Sequence, residues 1–286
     1  MNSIERAEHR VWPNERSAAR HILLIGVDGA RWELVPAEGR IRALAAEGSW
    51  HAMTMEMPTI SAPGWSSILT GTTHAEHGVR DNSLIGARLW QHPDLLSKAF
   101  YRDQSTRTFA AAGWPVLVDP QGLGPVIHPR VEQQYAGLHN VIVRDGETHG
   151  YERIDAEITA VTLAKLRAAA FDVGFMYFCD ADDAGHVHGL VEGTGYGDAL
   201  SRIDAHVSRI VDAVTHRAQT LGEDWLVVLT TDHGHLDEGG HGGDDPRERE
   251  SWVVAWSPTG ELPDWPDEII PSQLCGMLLD ARYTNR

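Results

Sequence analysis

The chain has 286 residues, 42% hydrophobic and 23% charged, a balance that excludes a disordered polymer and is ample for a buried core without disulfides. Lys plus Arg number 24 against 41 Asp plus Glu, a formal charge of −17, and that field repels nucleic-acid polymers. A small phosphorylated substrate remains compatible with it wherever metal ions supply local positive charge.

Residues 1–20 read as a polar arm, with charges throughout and no apolar stretch of the kind a secretory signal needs. HILLIGVDG follows, an apolar run ending in Asp-Gly, which predicts a buried parallel strand stopping at a polar edge. SWHAMTMEM predicts a second strand. SAPGWSSILTG predicts a helix, with Ser61 as N-cap, Pro63 just inside and Gly71 closing it. Residues 74–150 are rich in Gly and Pro and weakly periodic, which suggests a small cap or insert. Residues 151–169 carry helical spacing, FDVGFMYF is a strand, and ALSRIDAHVSRIVDAVTHRAQTL is the clearest amphipathic helix. DWLVVLTTDHG and SWVVAW are further strands, and SQLCGMLLDAR is a last helix. Alternating strands and helices predict one α/β domain over residues 21–286: a three-layer α/β/α sandwich around a mostly parallel sheet. The longest apolar runs are strand-length, so no membrane span is expected, and a soluble, cytoplasmic protein is the expectation. Cys179 and Cys275 make neither a disulfide framework nor a zinc knuckle, and nothing in the sequence reports oligomeric state.

In an open α/β sheet, ligands bind outside the carboxyl ends of the strands. Metal-ligand residue types collect there. Asp28 ends the first strand, Ser61 opens a helix, Asp182 and His186 follow FMYF, and Asp232 and His233 follow WLVVLT. His241 lies in the loop GGHGG, whose glycines allow close backbone approach. Singly, each has an ordinary reading as a turn, cap or solvated loop residue. Together they match two-metal hydrolysis, in which a pair of ions about 4 Å apart clamps attacking and leaving oxygens and a serine hydroxyl is activated by coordination. Three Asp, three His and one Ser favour zinc, with manganese as the alternative.

The motifs PTISAPGWSSILTG, HGVRDN, DDAGHVHG and TDHG, in that order behind Asp28-Gly29, resemble the alkaline phosphatase superfamily, most closely its nucleotide pyrophosphatase/phosphodiesterase branch, over residues 21–245. The resemblance implies Ser61 as nucleophile and Asp28, Asp232 and His233 as ligands, with Ser61, of the metal that activates it. It implies Asp182, His186 and His241 as ligands of a second metal. His235 competes with His241, because the family's last histidine usually follows a long insertion. Asp182 is preferred to Asp180 and Asp183, since only it has Gly185 and His186 at the motif's offsets. Asn82 matches a donor to a phosphoryl oxygen, alongside backbone N–H groups at the helix start. His74, His77 and His188 read as loop residues, and Trp65 as packing.

The reaction implied is metal-dependent hydrolysis of a phosphodiester or pyrophosphate through a covalent phosphoryl-serine, with a small phosphorylated partner, nucleotide-like substrates among the candidates. Sulfatases place Arg where this chain has Trp65, and alkaline phosphatases use an Arg near the nucleophile that has no counterpart here. Phosphomonoester or phosphonoacetate hydrolysis on the same scaffold, or non-catalytic binding of a phosphoryl ligand, are the alternatives. A phosphomutase would need a larger inserted domain.

Overall fold

The computed structural model describes residues 19–168, 171–190 and 195–284. Of the expected polar arm, residues 1–18 lie outside that range. Arg20 belongs to the fold: it is buried, bonded to Asp224 and Glu261, and its carbonyl accepts from Arg282.

The strands are β1 (His21–Val27), β2 (Ser49–Thr54), β3 (Thr108–Ala112), β4 (His139–Val143), β5 (Val173–Phe178), β6 (Trp225–Thr230), β7 (Glu250–Trp256) and β8 (Glu268–Ile269). They form one sheet in the order β4-β3-β5-β1-β6-β7-β2-β8. Only β7 runs against the others, pairing antiparallel with β6 and β2. The expectation of a mostly parallel α/β sheet therefore holds. The helices of eight residues or more are α1 (Arg40–Glu47), α2 (Ser61–Thr70), α3 (Leu95–Arg102), α4 (Tyr151–Ala168), α5 (Asp180–His188), α6 (Gly195–Leu221) and α7 (Pro271–Tyr283).

Side chains alternate across a strand, so β1 feeds two separate cores. Ile22 and Leu24 pack with residues of α2, α3 and α7 on one face. Leu23, Ile25 and Val27 pack with α1, α4 and α6 on the other. Central strands covered on both faces must be apolar throughout, which is why β1, β5 and β6 read as unbroken hydrophobic runs.

The stretch 74–150, expected as a cap or insert, instead supplies β3 and β4, which extend the sheet beyond β5. Its sequence hides them. TFAAA is short and Ala-rich, and alanine has neither strand propensity nor a face-specific pattern.

Parallel alignment sets the site. Val27 lies beside Phe178, and Gly26 lies beside both Tyr177 and Thr230. The residues that follow these three adjoining strands therefore leave the sheet at one edge.

Candidate active site

Asp28 is the first residue past β1 and is 0% exposed. Its Oδ2 accepts from Trp65 Nε1 at 2.8 Å and from the Tyr177 hydroxyl at 2.5 Å. Its Oδ1 lies 3.5 Å from Ser61 Oγ and 3.4 Å from His233 Nε2. Trp65 reaches this position because its indole lies over Gly26, where a Cβ would meet the ring at 2.5 Å. Trp65 is therefore buried packing, as expected, and is also a carboxylate anchor, which its sequence reading did not include.

Ser61 was expected to cap α2. It is instead the first helical residue, with Ile60 in the extended N-cap position. Its hydroxyl is thereby turned into the site, 3.1 Å from His233 Nε2. Asn82 folds back over the helix start, and its Oδ1 accepts from Ala62 N at 3.0 Å. That bond fixes the amide and leaves its nitrogen as the outward donor. The expected row of backbone N–H donors is correspondingly shorter. Ala62 N–H is taken by Asn82, residue 63 is proline, and Gly64 N–H bonds Ile60 O. Ser61 N–H and the Asn82 amide are what remains for an anion.

His233 is also 0% exposed. Its Nδ1–H donates to Gly234 O at 3.0 Å, so its Nε2 presents a lone pair to Ser61 Oγ, Asp28 Oδ1 and, at 3.4 Å, Asp232 Oδ2. Asp232 Oδ2 is buried and has no hydrogen-bond partner. A tetrahedral ion with ligand bonds of about 2.0–2.1 Å has ligand-to-ligand edges of about 3.3–3.4 Å. Four separations in this group match that spacing: Ser61 Oγ to Asp28 and to His233, and His233 Nε2 to Asp28 and to Asp232, all 3.1 to 3.5 Å.

A second group adjoins it. Asp182 and His186 lie one turn apart on α5, which puts them on one face, with Asp182 Oδ2 3.5 Å from His186 Nε2. His241 Nε2 lies 3.5 Å from Asp182 Oδ1 and 3.0 Å from His186 Nε2. Its Nδ1–H donates to Thr59 O at 2.7 Å, so this Nε2 is also a bare lone pair. Thr59 holds the loop in place further: its Oγ1 accepts from Gly242 N and donates to Gly243 O. His235 is present too, 2.9 Å from Asp182 Oδ1 through Nε2. Asp180 turns away to pair with Arg202, and Asp183 is exposed.

The electrostatics of this cluster demand positive charge. Among the described residues no lysine or arginine pairs with Asp28, Asp182 or Asp232. Burial, reinforced by Asp182, pushes the Asp28 carboxyl up to about 7. Burial raises Asp182 to about 6, and raises Asp232 well above the usual range with help from Asp28 and Asp182. Burial likewise lowers His241 to about 3, His235 to about 4 and His233 well below its ordinary value. Mutually repelling carboxylates and neutral imidazoles with inward lone pairs are a donor set that fits divalent cations.

The structure thus brings Asp28, Ser61, Asn82, Asp182, His186, Asp232, His233 and His241 together at one sheet edge. His74, His77 and His188, expected in loops, lie instead in helices, the first two in a one-turn helix and the third at the end of α5, and His77 is buried and structural. It bonds Ser67 Oγ and accepts from Val79 N, which ties its one-turn helix to α2. Sequence reasoning missed Tyr177 and Thr59. A lone phenol near the end of an apolar strand was a usable signal, since a buried Tyr hydroxyl needs a partner. Thr59 gave none.

The sequence model of the family described as type I phosphodiesterase / nucleotide pyrophosphatase matches residues 22–244. The human GPI ethanolamine phosphate transferase 2 catalytic subunit is 23% identical over 207 residues, covering 72% of this chain and 19% of that protein. Human ectonucleotide pyrophosphatase/phosphodiesterase family member 1 is 26% identical over 227 residues, covering 74% of this chain and 23% of that protein. This chain therefore spans about a fifth of the length of these relatives. Among solved structures, human ectonucleotide pyrophosphatase / phosphodiesterase 5 superposes with a TM-score of 0.61 at 15% identity, covering 91% of this chain and 94% of the other. Phosphonoacetate hydrolase from Sinorhizobium meliloti 1021, solved with phosphonoformate, gives 0.60 at 10% identity, covering 93% and 96%. At such identities the superpositions speak to the fold, which is of the alkaline phosphatase type. With a family match over most of its length and that fold beneath it, the chain belongs to the type I phosphodiesterase / nucleotide pyrophosphatase family, the corresponding branch of the alkaline phosphatase superfamily.

Proposed function

We propose that the chain is a metal-dependent phosphoester hydrolase of the phosphodiesterase/nucleotide pyrophosphatase type, acting on a small phosphorylated substrate through a phosphoryl-Ser61 intermediate. The observation that carries this reading is the placement of Ser61 Oγ within 3.1–3.5 Å of His233 Nε2 and Asp28 Oδ1, on the first residue of a helix. Asp28, Ser61, Asp232 and His233 would hold one cation, and Asp182, His186 and His241 a second. Bound there, divalent cations supply the charge that makes a serine hydroxyl acidic and that offsets negative charge on phosphoryl oxygens.

The chain's own groups do the rest. Ser61 Oγ attacks phosphorus in line, the Oγ–P bond forms as the bond to the leaving oxygen breaks, and the serine proton ends on the released alcohol or phosphate. Asn82 Nδ2 and Ser61 N–H donate to the phosphoryl oxygens as charge develops. Water then attacks the same phosphorus, the P–Oγ bond breaks, and the serine recovers a proton. Among the described residues no arginine or lysine pairs with the cluster, which supports a singly charged diester or pyrophosphate linkage over a doubly charged monoester. A dinucleotide or a nucleotide pyrophosphate, cleaved to a nucleoside monophosphate, is one such substrate; an inactive mouse ectonucleotide pyrophosphatase / phosphodiesterase 5, at TM-score 0.54, was solved with AMP.

A second reading, transfer of the phosphoryl group to an alcohol instead of water, is favoured by the transferases among the relatives. Zinc-loaded protein is to be assayed on an aryl phosphodiester, a nucleotide pyrophosphate, a monoester and a phosphonate, with and without glycerol as acceptor. Diester or pyrophosphate cleavage that falls at least 1,000-fold in Ser61→Ala, with a phosphoryl mass adduct on a Ser61 peptide, is the expected result. Activity unaffected by Ser61→Ala, or no turnover of any substrate, would refute it.

A further inference from the structure

We propose that His235 is a positioning residue that holds the Asp182 carboxylate, and that it is not itself a metal ligand. The proposal rests on the dinuclear reading above and sharpens it, since His235 and His241 compete on sequence for the same ligand role.

The hydrogen polarity of the rings separates them. His233 and His241 each donate Nδ1–H to a backbone carbonyl, of Gly234 and Thr59, which leaves Nε2 bare and aimed inward. That is the arrangement of a metal-ligating histidine, whose other ring nitrogen is held by an oxygen acceptor. His235 is wired the opposite way. Its Nε2 lies 2.9 Å from Asp182 Oδ1, and its Nδ1 is buried without a hydrogen-bond partner among the described residues. For Nε2 to bind a cation, the proton would have to move to Nδ1. A buried N–H would then be left with no acceptor, and a lone pair would face a carboxylate oxygen. With the proton on Nε2, the ring donates to Asp182 and only an acceptor nitrogen is unpaired.

The packing around the ring holds that bond in place. Gly29, at φ +61°, lies over it: a Cβ there would sit 2.5 Å from His235 Nε2 and 2.8 Å from Asp182 Oδ1. On the other side, a Cβ on Gly185 would sit 3.0 Å from His235 Cε1. Arg31 Nη1 donates to the His235 carbonyl and ties down its backbone. The imidazole is thus gripped between two glycine backbones, 0% exposed, behind the carboxylate it supports. With Oδ1 so held, Asp182 presents Oδ2 toward His186.

Three substitutions and one spectroscopic measurement test this. Metal-free wild type, His235→Gln, His235→Asn and His235→Leu are titrated with zinc against a chromophoric chelator, and the cobalt(II) absorption of each is recorded. A Gln amide reaches the place of Nε2 and donates to Asp182; an Asn amide is too short. The expected result is two equivalents in wild type and in Gln, within about threefold in affinity and with an unchanged cobalt spectrum. Asn and Leu are expected to weaken one equivalent by about 10- to 100-fold, the usual loss when a ligand's supporting group is removed. If Leu does not fold, Asn carries the comparison. Gln failing like Leu, with an altered cobalt spectrum, would make His235 a ligand and overturn the proposal. Leu and Asn binding both equivalents as wild type does would reduce His235 to packing and overturn it as well. Nitrogen-15 NMR of the metal-free protein reads the tautomer without any metal: Nε2–H at His235 is expected, with Nδ1–H at His233 and His241, and Nδ1–H at His235 refutes it. Wild type that takes up no zinc while showing these tautomers would instead strike at the dinuclear reading.

Discussion

Tyr177→Phe removes one oxygen and leaves the shape of β5 intact, yet it acts directly on the first proposed metal group. The Tyr177 hydroxyl donates to Asp28 Oδ2 at 2.5 Å, and among the described residues Trp65 supplies the only other hydrogen bond to that oxygen. Burial drives the Asp28 carboxyl up to about 7, and these two donors are what restrain it. A hydrogen bond to an ionised group is worth about 1.5–3 kcal/mol, or about one to two pKa units. Without it, the metal-free Asp28 titrates at about 8–9, and its ionised fraction at pH 7 falls from about a half to about 1–10%. Because a ligating carboxylate must be deprotonated, the first site's apparent affinity at pH 7 drops about 5- to 50-fold. At pH 9.5, where both forms are largely ionised, most of that difference closes. Zinc titrations of the two proteins at both pH values decide it. A loss of equal size at pH 7 and pH 9.5 would refute the reasoning, because it would mean that the hydroxyl sets geometry and not protonation.

Metal uptake should also expel protons in a pH-dependent way. At pH 6 the metal-free Asp28, at about 7, is protonated in about nine molecules of ten, and Asp182, at about 6, in about half, so filling both sites releases about 1.4 protons from this pair. Calorimetry in buffers of different ionisation enthalpy should find at least that at pH 6 and almost none from the pair at pH 9; equal release at both would contradict the raised carboxyls. Away from the proposed metal sites, Asp155 on α4 accepts from Cys179 N and Asp180 N at 3.0 Å each and so caps α5 from outside. Burial raises its pKa well above the usual range, so the stability it lends is full below about pH 4 and is lost as pH rises through its folded value. Asp155→Asn should therefore match wild type near pH 4 and be the more stable at pH 8 in urea unfolding. Asp155→Leu, which strands two buried N–H groups, should cost about 2–4 kcal/mol at both. An Asn variant as damaged as Leu would refute the capping account.

How much of this could be read from the chain alone follows from where each signal is written. Asp28, Asp232 and His233 are legible because β1 and β6 must be apolar on both faces, and a polar residue directly after such a run marks the sheet edge. Asp182 and His186 are legible because four residues make one helical turn. β3 and β4 are not legible, since an Ala-rich edge segment carries no period. Nor is the conformation at Ser61, where a shift of one residue from N-cap to first helical position changes whether the hydroxyl serves its own helix or the site.

The sequence prefers His241 to His235 by resemblance alone, and the physical ground for separating them lies elsewhere. Both are histidines in one short loop, and what distinguishes them is which ring nitrogen finds an acceptor. For His241 the acceptor is the carbonyl of Thr59, 182 positions away, and for His235 it is the carboxylate of Asp182, 53 positions away. Carbonyls carry no side-chain identity, so residue types reveal which groups can hold a metal, while the backbone running past them decides which nitrogens do. The Thr59 carbonyl is two residues before Ser61, and the same residue grips Gly242 and Gly243. The segment that carries the proposed nucleophile is therefore also the one that sets the tautomer of a proposed ligand in the second group. A disturbance of the chain at Thr59 should reach both halves of the site at once, and the two proposed metal sites are coupled through backbone hydrogen bonds as well as through charge.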